Sequence, residues 1–128
     1  MLGEVEGGLC VLLGIARGDD ESAANTLARK LAQLRIFPDD EGRFSHSVRD
    51  VGGSVLVVSQ FTLLGDSNSK SATPDFSAAA PRDQAEPLYD LFIETLRDLG
   101  LHVETGRFGA HMQVSLVNDG PVTLILEA

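Results

Sequence analysis

Val55-Leu56-Val57-Val58 is four apolar residues in succession between Ser54 and the polar group Ser59-Gln60, and it constrains this chain more than any other feature. Continuous apolarity, in place of alternation, marks a strand covered on both faces. Ser54 to Leu64 is therefore expected to be the strongest strand and to lie centrally in a sheet. Gly8 to Ala16 reads as a second buried strand, a short run rich in Leu, Val and Ile closed by Arg17-Gly18-Asp19-Asp20. Asp19 or Asp20 can cap a helix from Glu21 onward, in which Leu27, Leu31 and Leu34 recur at helical spacing while Arg29, Lys30 and Gln33 face away. Pro81-Arg82-Asp83 opens a second helix with Ala85, Leu88, Phe92, Leu96 and Leu99 as its apolar stripe and Gly100 as its stop. In the last quarter Met112, Val114 and Leu116 alternate with Gln113, Ser115 and Val117, and Val122 to Glu127 follows Asn118-Asp119-Gly120-Pro121 as a further strand.

A chain of 128 residues fits one domain, residues 1–128, with a single core and mixed α/β class. Cys10 is the only cysteine. It cannot form an internal disulfide, and its place in Leu9-Cys10-Val11-Leu12-Leu13 predicts a core thiol in a reducing compartment. The acidic start, Met1 to Glu6, is unlike a signal or transit peptide, and no apolar stretch is long enough for a bilayer, so a soluble cytoplasmic protein without membrane attachment is expected. The net charge of −9, from 10 Lys and Arg against 19 Asp and Glu, opposes general affinity for phosphate backbones. A local basic patch is still compatible with it, because Arg29, Lys30 and Arg35 lie close together and screening confines each charge to roughly 8 Å in physiological salt.

The usual catalytic patterns are missing. His46, His102 and His111 are far apart and none pairs with a second ligand at metal-binding spacing, so no metal site is expected. There is no Gly-x-Ser-x-Gly elbow, and Gly52-Gly53 precedes a strand where a phosphate-cradling loop would follow one. Two segments stand apart. Ser59-Gln60-Phe61-Thr62 puts three polar side chains where the most buried strand meets the polar loop Gly65 to Thr73, and Gly120-Pro121 combines a permissive residue with one that fixes φ and lacks an N–H. Read singly, the first can be a tied strand end and the second a turn.

Together, Ser59-Gln60-Phe61-Thr62-Leu63 and Asn118-Asp119-Gly120-Pro121-Val122-Thr123 resemble the two signature motifs of the D-aminoacyl-tRNA deacylase family. Leu34-Arg35-Ile36-Phe37, Phe76-Ser77-Ala78-Ala79-Ala80-Pro81 and Gly106-Arg107-Phe108-Gly109-Ala110-His111-Met112-Gln113-Val114 are similar to family segments in the family's order. The resemblance runs from Gly8 to Glu127. It implies a single-domain, barrel-like α/β fold with a largely antiparallel sheet and two main helices, paired as a homodimer. It implies hydrolysis of the ester of D-aminoacyl-tRNA, and of glycyl-tRNA, with no cofactor. Ser59, Gln60, Phe61 and Thr62 would form the catalytic segment, with Phe108, Ala110 and Met112 lining the site for the terminal adenosine and aminoacyl group. Gly120 and Pro121, joined by a cis peptide, would enter the partner subunit's site and reject L-amino acids.

Two departures from the family pattern are expected to matter. The family's usual first strand, with a basic residue that buttresses the Gly-Pro unit, is expected to be lacking, which would leave a sheet edge unpaired. The loop after Thr62 carries only Lys70 where relatives of this kind have several basic residues, so weaker phosphate contact is expected there. Three readings follow: a stereospecific hydrolase, a non-catalytic dimeric binding module on the same fold, and a generic esterase that needs no tRNA.

Overall fold

The computed structural model describes residues 7–68, 72–110 and 112–128. Met1 to Glu6, Lys70 and His111 fall outside them, so the expectations for the first strand, the loop lysine and that histidine do too. In chain order the elements are β1 (Gly8–Leu13), α1 (Glu21–Gln33), β2 (Phe37–Pro38), β3 (Phe44–His46), β4 (Ser54–Ser59), a 3-10 turn (Phe61–Leu64), α2 (Arg82–Asp98) and β5 (His102–Thr105).

β4 is the central strand, as its apolar run predicts, with β1 on one side and β5 on the other, but it ends at Ser59 and not at the expected Leu64, because the chain turns into a 3-10 helix over Phe61–Leu64. Both pairings are parallel, Leu9 and Val103 flanking Val55 and Val11 and Thr105 flanking Val57. This corrects the expectation of a largely antiparallel sheet. Each strand-to-strand connection carries a helix, and a crossover of that length returns the chain to the same end of the sheet. Antiparallel pairing among named strands is confined to the ribbon of β2 and β3. The described strands make these two small sheets, and no barrel closes within them.

Leu9, Val11, Leu13, Val55, Val57 and Val103 share one sheet face and pack into the core with Ala24, Ala28, Leu31 and Ala32 of α1 and Leu88, Tyr89, Phe92 and Leu96 of α2. α1 starts on an Asp20 cap whose carboxylate accepts the Ala23 N–H at 2.9 Å. It ends at Gln33, and its buried stripe contains three alanines because α2 packs closely there. Leu27 is only half-buried. Thr95 on α2 ties the helices together, its hydroxyl lying 2.7 Å from Asn25 Oδ1 and donating to Leu91 O at 2.8 Å or to that amide oxygen.

Two further expectations change. Cys10 is exposed, because β1 is an edge strand and alternate residues leave the helix-covered face. The atoms packed around the sulfur still raise the thiol pKa by desolvation, which disfavours the reactive thiolate. The segments 112–117 and 122–127 are not strands. Alternation specifies a face but supplies no partner, and these segments find none among the described residues. Val117 and Ile125 are 91% and 90% exposed. Lys30 anchors the end of this region to α1 by donating to Glu127 O at 2.9 Å.

Candidate active site

The sheet ends where the polar tetrad begins. Ser59 is the last residue of β4, opposite Leu13, and the Gln60 N–H still donates to Leu13 O at 2.8 Å. The chain then tightens into the 3-10 turn, with Leu63 N–H donating to Gln60 O and Gly65 N–H to Thr62 O. The N–H groups of Phe61 and Thr62 precede the first bonded donor of that turn and have no acceptor among the described residues. The Phe61 ring is 58% exposed, so the donors beside it lie at the surface end of the strand.

Two glycines make this geometry possible. A Cβ at Gly14 would stand 2.5 Å from Leu64 Cδ2 and 3.2 Å from Gln60 O, so a side chain there would displace the Leu64 methyl and crowd the backbone of the turn. At Gly65 a Cβ would meet Phe76 Cε1 at 2.6 Å and Thr62 O at 3.0 Å. Phe76 stacks edge-to-face on Phe61 with ring centroids 5.2 Å apart, and its loop is closed by reciprocal Asp66–Asp75 backbone bonds of 2.7 and 2.9 Å. The Ser77 N–H and hydroxyl hold the Asp75 carboxyl below the usual carboxylate range. Gly65→Ala is expected to push Phe76 off Phe61 and shift Thr62, lowering kcat by about 10–10²-fold in a single-turnover assay while leaving the melting temperature within a few degrees.

Phe108 and Met112 neighbour the same strand indirectly, through Tyr89 and Gly106, whose donors meet at Val57, two residues before Ser59. Val57 O accepts the buried Tyr89 hydroxyl at 3.1 Å and the Gly106 N–H at 3.4 Å. Burial, then the neighbouring Asp90 charge, raises the Tyr89 pKa and keeps it a neutral donor. The Tyr89 ring packs against Phe108 at 5.3 Å, and the Arg82 guanidinium lies over Phe108 at 5.6 Å. Ala110 N–H donates to Arg107 O, and the Met112 methyl would be 3.0 Å from a Cβ at Gly106. Tyr89, Arg82 and Phe76 thus support the site without having been singled out for it. Tyr89 alone carried a signal, since the chain's one tyrosine sits beside Leu88 in an apolar stripe and a buried hydroxyl needs an acceptor.

Gly120 and Pro121 are joined by a cis peptide, with Gly120 at φ +143°. Asn118 clasps the turn. Its amide donates to Thr123 Oγ1 at 2.7 Å and its oxygen accepts the Val122 N–H at 3.1 Å. Both Gly120 and Pro121 are exposed, and no hydrogen bond or ring contact among the described residues joins them to Ser59–Thr62 of the same chain.

Thr62 Oγ1 is bonded to the Gln60 side-chain amide. Whichever way that amide faces, it supplies no base. Among the described residues, His102 pairs with an acidic side chain within ion-pair distance, 3.3 Å from Glu104 on β5. No three His, Cys, Asp or Glu side chains converge as a metal site among the described residues.

Comparison with known proteins places this geometry. The family model described as D-Tyr-tRNA(Tyr) deacylase matches residues 1–127. The chain belongs to that family. Deacylase-family relatives named "D-aminoacyl-tRNA deacylase" include one from Symbiobacterium thermophilum, 55% identical over 128 residues, which are 100% of this chain and 84% of the relative. Another, from Halalkalibacterium halodurans, is 54% identical over 127 residues, 99% of this chain and 86% of its own length. A solved structure described as "c-Myc DNA Unwinding Element Binding Protein" superposes with a TM-score of 0.87 at 44% identity, over 97% of this chain and 84% of that one. A structure of a probable eukaryotic D-amino acid tRNA deacylase shares the fold, with a TM-score of 0.66 at 16% identity over 80% of this chain and 75% of that one.

Proposed function

We propose that this deacylase-family chain hydrolyses the ester between a D-amino acid, or glycine, and tRNA, as a homodimer in the cytoplasm. The observation that carries the reading is the pair of N–H donors at Phe61 and Thr62, without acceptors among the described residues and held at the end of the central strand in the segment that resembles a family motif. Water adds to the ester carbonyl carbon, and the two N–H groups stabilise the negative charge that develops on the carbonyl oxygen. The carbon–oxygen bond to the ribose then breaks, and the ribose oxygen leaves as a hydroxyl. Each oxyanion donor of this kind contributes roughly 3 kcal/mol. An aminoacyl ester is already activated, so Thr62 serves to position the substrate with help from the neighbouring ribose hydroxyl, and Phe108, Ala110 and Met112 form the wall against the adenosine.

Chirality requires a stiff barrier, because an adaptable apolar pocket separates similar substrates by only about 1–3 kcal/mol. Gly120 and Pro121 supply that barrier from the partner subunit. Their exposure, and the lack of any hydrogen bond or ring contact to the chain's own Ser59–Thr62 among the described residues, suit a role in trans. The exposed apolar residues Val114, Leu116, Val117, Leu124 and Ile125 flank the Gly-Pro turn and give a dimer something to bury. Glycine, with no side chain to clash, passes the same barrier.

Release of labelled D-tyrosine from D-tyrosyl-tRNA tests the activity. The protein is expected to accelerate release well beyond buffer, with a solution mass of two chains. A rate equal to buffer would leave the second reading, a non-catalytic dimeric binding module, which the neighbour described as binding a DNA unwinding element favours. Thr62→Val is expected to retain measurable release in quenched flow, within about 10²-fold of the parent. Complete loss would make Thr62 the nucleophile. Asn118→Ala unclasps the Gly-Pro turn and is expected to raise L-tyrosyl-tRNA hydrolysis by about tenfold while D-tyrosyl-tRNA hydrolysis changes little. Unchanged L-substrate hydrolysis would separate the turn from stereoselection.

A further inference from the structure

Among the described residues, most cations are already engaged. Arg43 pairs with Glu41 and Arg82 with Glu86, while Arg17, Lys30 and Arg97 donate to backbone carbonyls. Among the described residues Arg29, Arg35, Arg49 and Arg107 do neither, although the chain holds 19 acidic residues against 10 basic ones, and of these four only Arg35 and Arg49 come together. They line the same notch, a cavity of about 580 Å³ completed by Ala32, Gln33, Ser47 and Asp50. Ser47 is buried at its floor and Val48, beside it, is fully buried, so the backbone that carries Arg49 is fixed.

The notch also contains negative groups. The Asp50 carboxylate is turned onto its own loop, accepting the Ser47 N–H at 2.9 Å, and the Asp50 N–H in turn donates to Ser47 Oγ at 3.2 Å. Those bonds, with smaller contributions from the charges of His46 and Arg35, hold its pKa below the usual carboxylate range. The last turn of α1 presents carbonyls on the same side, and one of them, Leu31 O, is taken by Leu34 N–H at 3.3 Å. Asp50 and this carbonyl therefore have partners of their own, while the two guanidiniums remain free for an incoming group. Guanidiniums match the geometry of phosphate oxygens, and two of them can clamp one phosphodiester between them.

We infer that the notch between Arg35 and Arg49 grips a backbone phosphate of the RNA substrate. The inference rests on the proposed tRNA substrate and adds a grip remote from the ester. Gly53 N–H donates to Val48 O at 2.9 Å, which places the notch loop at the start of β4, whereas Ser59 stands at its end. Six residues of strand at roughly 3.3 Å each put about 20 Å between the two sites. A stacked strand covers that span in roughly six nucleotides. A local double-positive clamp also answers how a chain of net charge −9 retains a polyanion, since screening hides the distant acidic residues from a phosphate held there.

The test compares the full-length parent, Arg35→Ala/Arg49→Ala and Arg43→Ala for binding of fluorescent uncharged tRNA across a salt series, and for hydrolysis of D-tyrosyl-tRNA. The double variant is expected to bind tRNA about tenfold more weakly, with a salt slope shallower by about 1 to 2, and to raise KM with kcat unchanged. Arg43→Ala, whose guanidinium is paired with Glu41, is expected to match the parent. If the double variant keeps the parent's affinity and salt slope, the clamp is overturned. A lower melting temperature with unchanged tRNA binding would likewise overturn it and assign the arginines to stabilising the end of α1. If the parent fails to hydrolyse the ester while the double variant still loses tRNA affinity, the clamp stands and the hydrolytic reading falls.

Discussion

Phe61→Pro is expected to lower kcat for D-tyrosyl-tRNA by about 10²–10³-fold relative to Phe61→Ala, the loss that accompanies removal of one oxyanion donor. The alanine variant is the right reference because it removes the ring and its contact with Phe76 but keeps the N–H. Proline removes that N–H as well. Its ring is tolerated here for two reasons: Phe61 is the first residue of the 3-10 turn, where no intrahelical acceptor uses its donor, and Gln60, at φ −143° and ψ 82°, lies outside the α region that proline disfavours in the residue before it. Stability should therefore be similar in the two variants, and the difference should appear in kcat with little change in KM. Equal kcat values for Phe61→Pro and Phe61→Ala would remove the Phe61 N–H from the mechanism.

Phe92→Ala is expected to lower the unfolding free energy by roughly 3–5 kcal/mol, a large share of the 5–15 kcal/mol typical of a domain. Phe92 is 1% exposed and belongs to the one core cluster that joins both helices to the helix-covered sheet face. Removing its ring deletes the burial and leaves a cavity that α1, already packed close through Ala28 and Ala32, has little room to collapse into. Urea melts at fixed protein concentration would measure the change, since the apparent stability of any self-associating protein depends on concentration. A loss below about 1 kcal/mol would mean that the core is not organised around α2.

The local elements were legible because their signals are local. The apolar run around Val57 gave a central strand, Asp20 gave a cap, and the Ala85-to-Leu96 spacing gave a buried helix face. Strand direction was not legible. It depends on where a helical crossover delivers the chain, and nothing in the composition of β1 or β5 distinguishes a parallel neighbour from an antiparallel one. The exposed Cys10 shows the same limit in another form, since an apolar run does not reveal that its strand lies at an edge with only one face covered by helices.

The site divided along similar lines. Ser59 through Thr62 could be picked out as polar residues ending an apolar strand, but the N–H groups that lack acceptors among the described residues, on which the proposed role rests, arise from the 3-10 turn. That turn in turn depends on Gly14 and Gly65, two glycines whose importance is visible only once Leu64 and Phe76 are seen against them. The alternation in 112–117 and 122–127 was real as a pattern and misleading as secondary structure within one chain.

The most direct test sets D-tyrosyl-tRNA against L-tyrosyl-tRNA with one preparation of the protein and compares their kcat/KM. A backbone wall at the site should give a preference for the D form of at least about 10³-fold, beyond what an adaptable apolar pocket provides. Equal hydrolysis of the two stereoisomers, with the ester still cleaved faster than in buffer, would contradict the Gly120-Pro121 barrier and leave a catalyst indifferent to chirality.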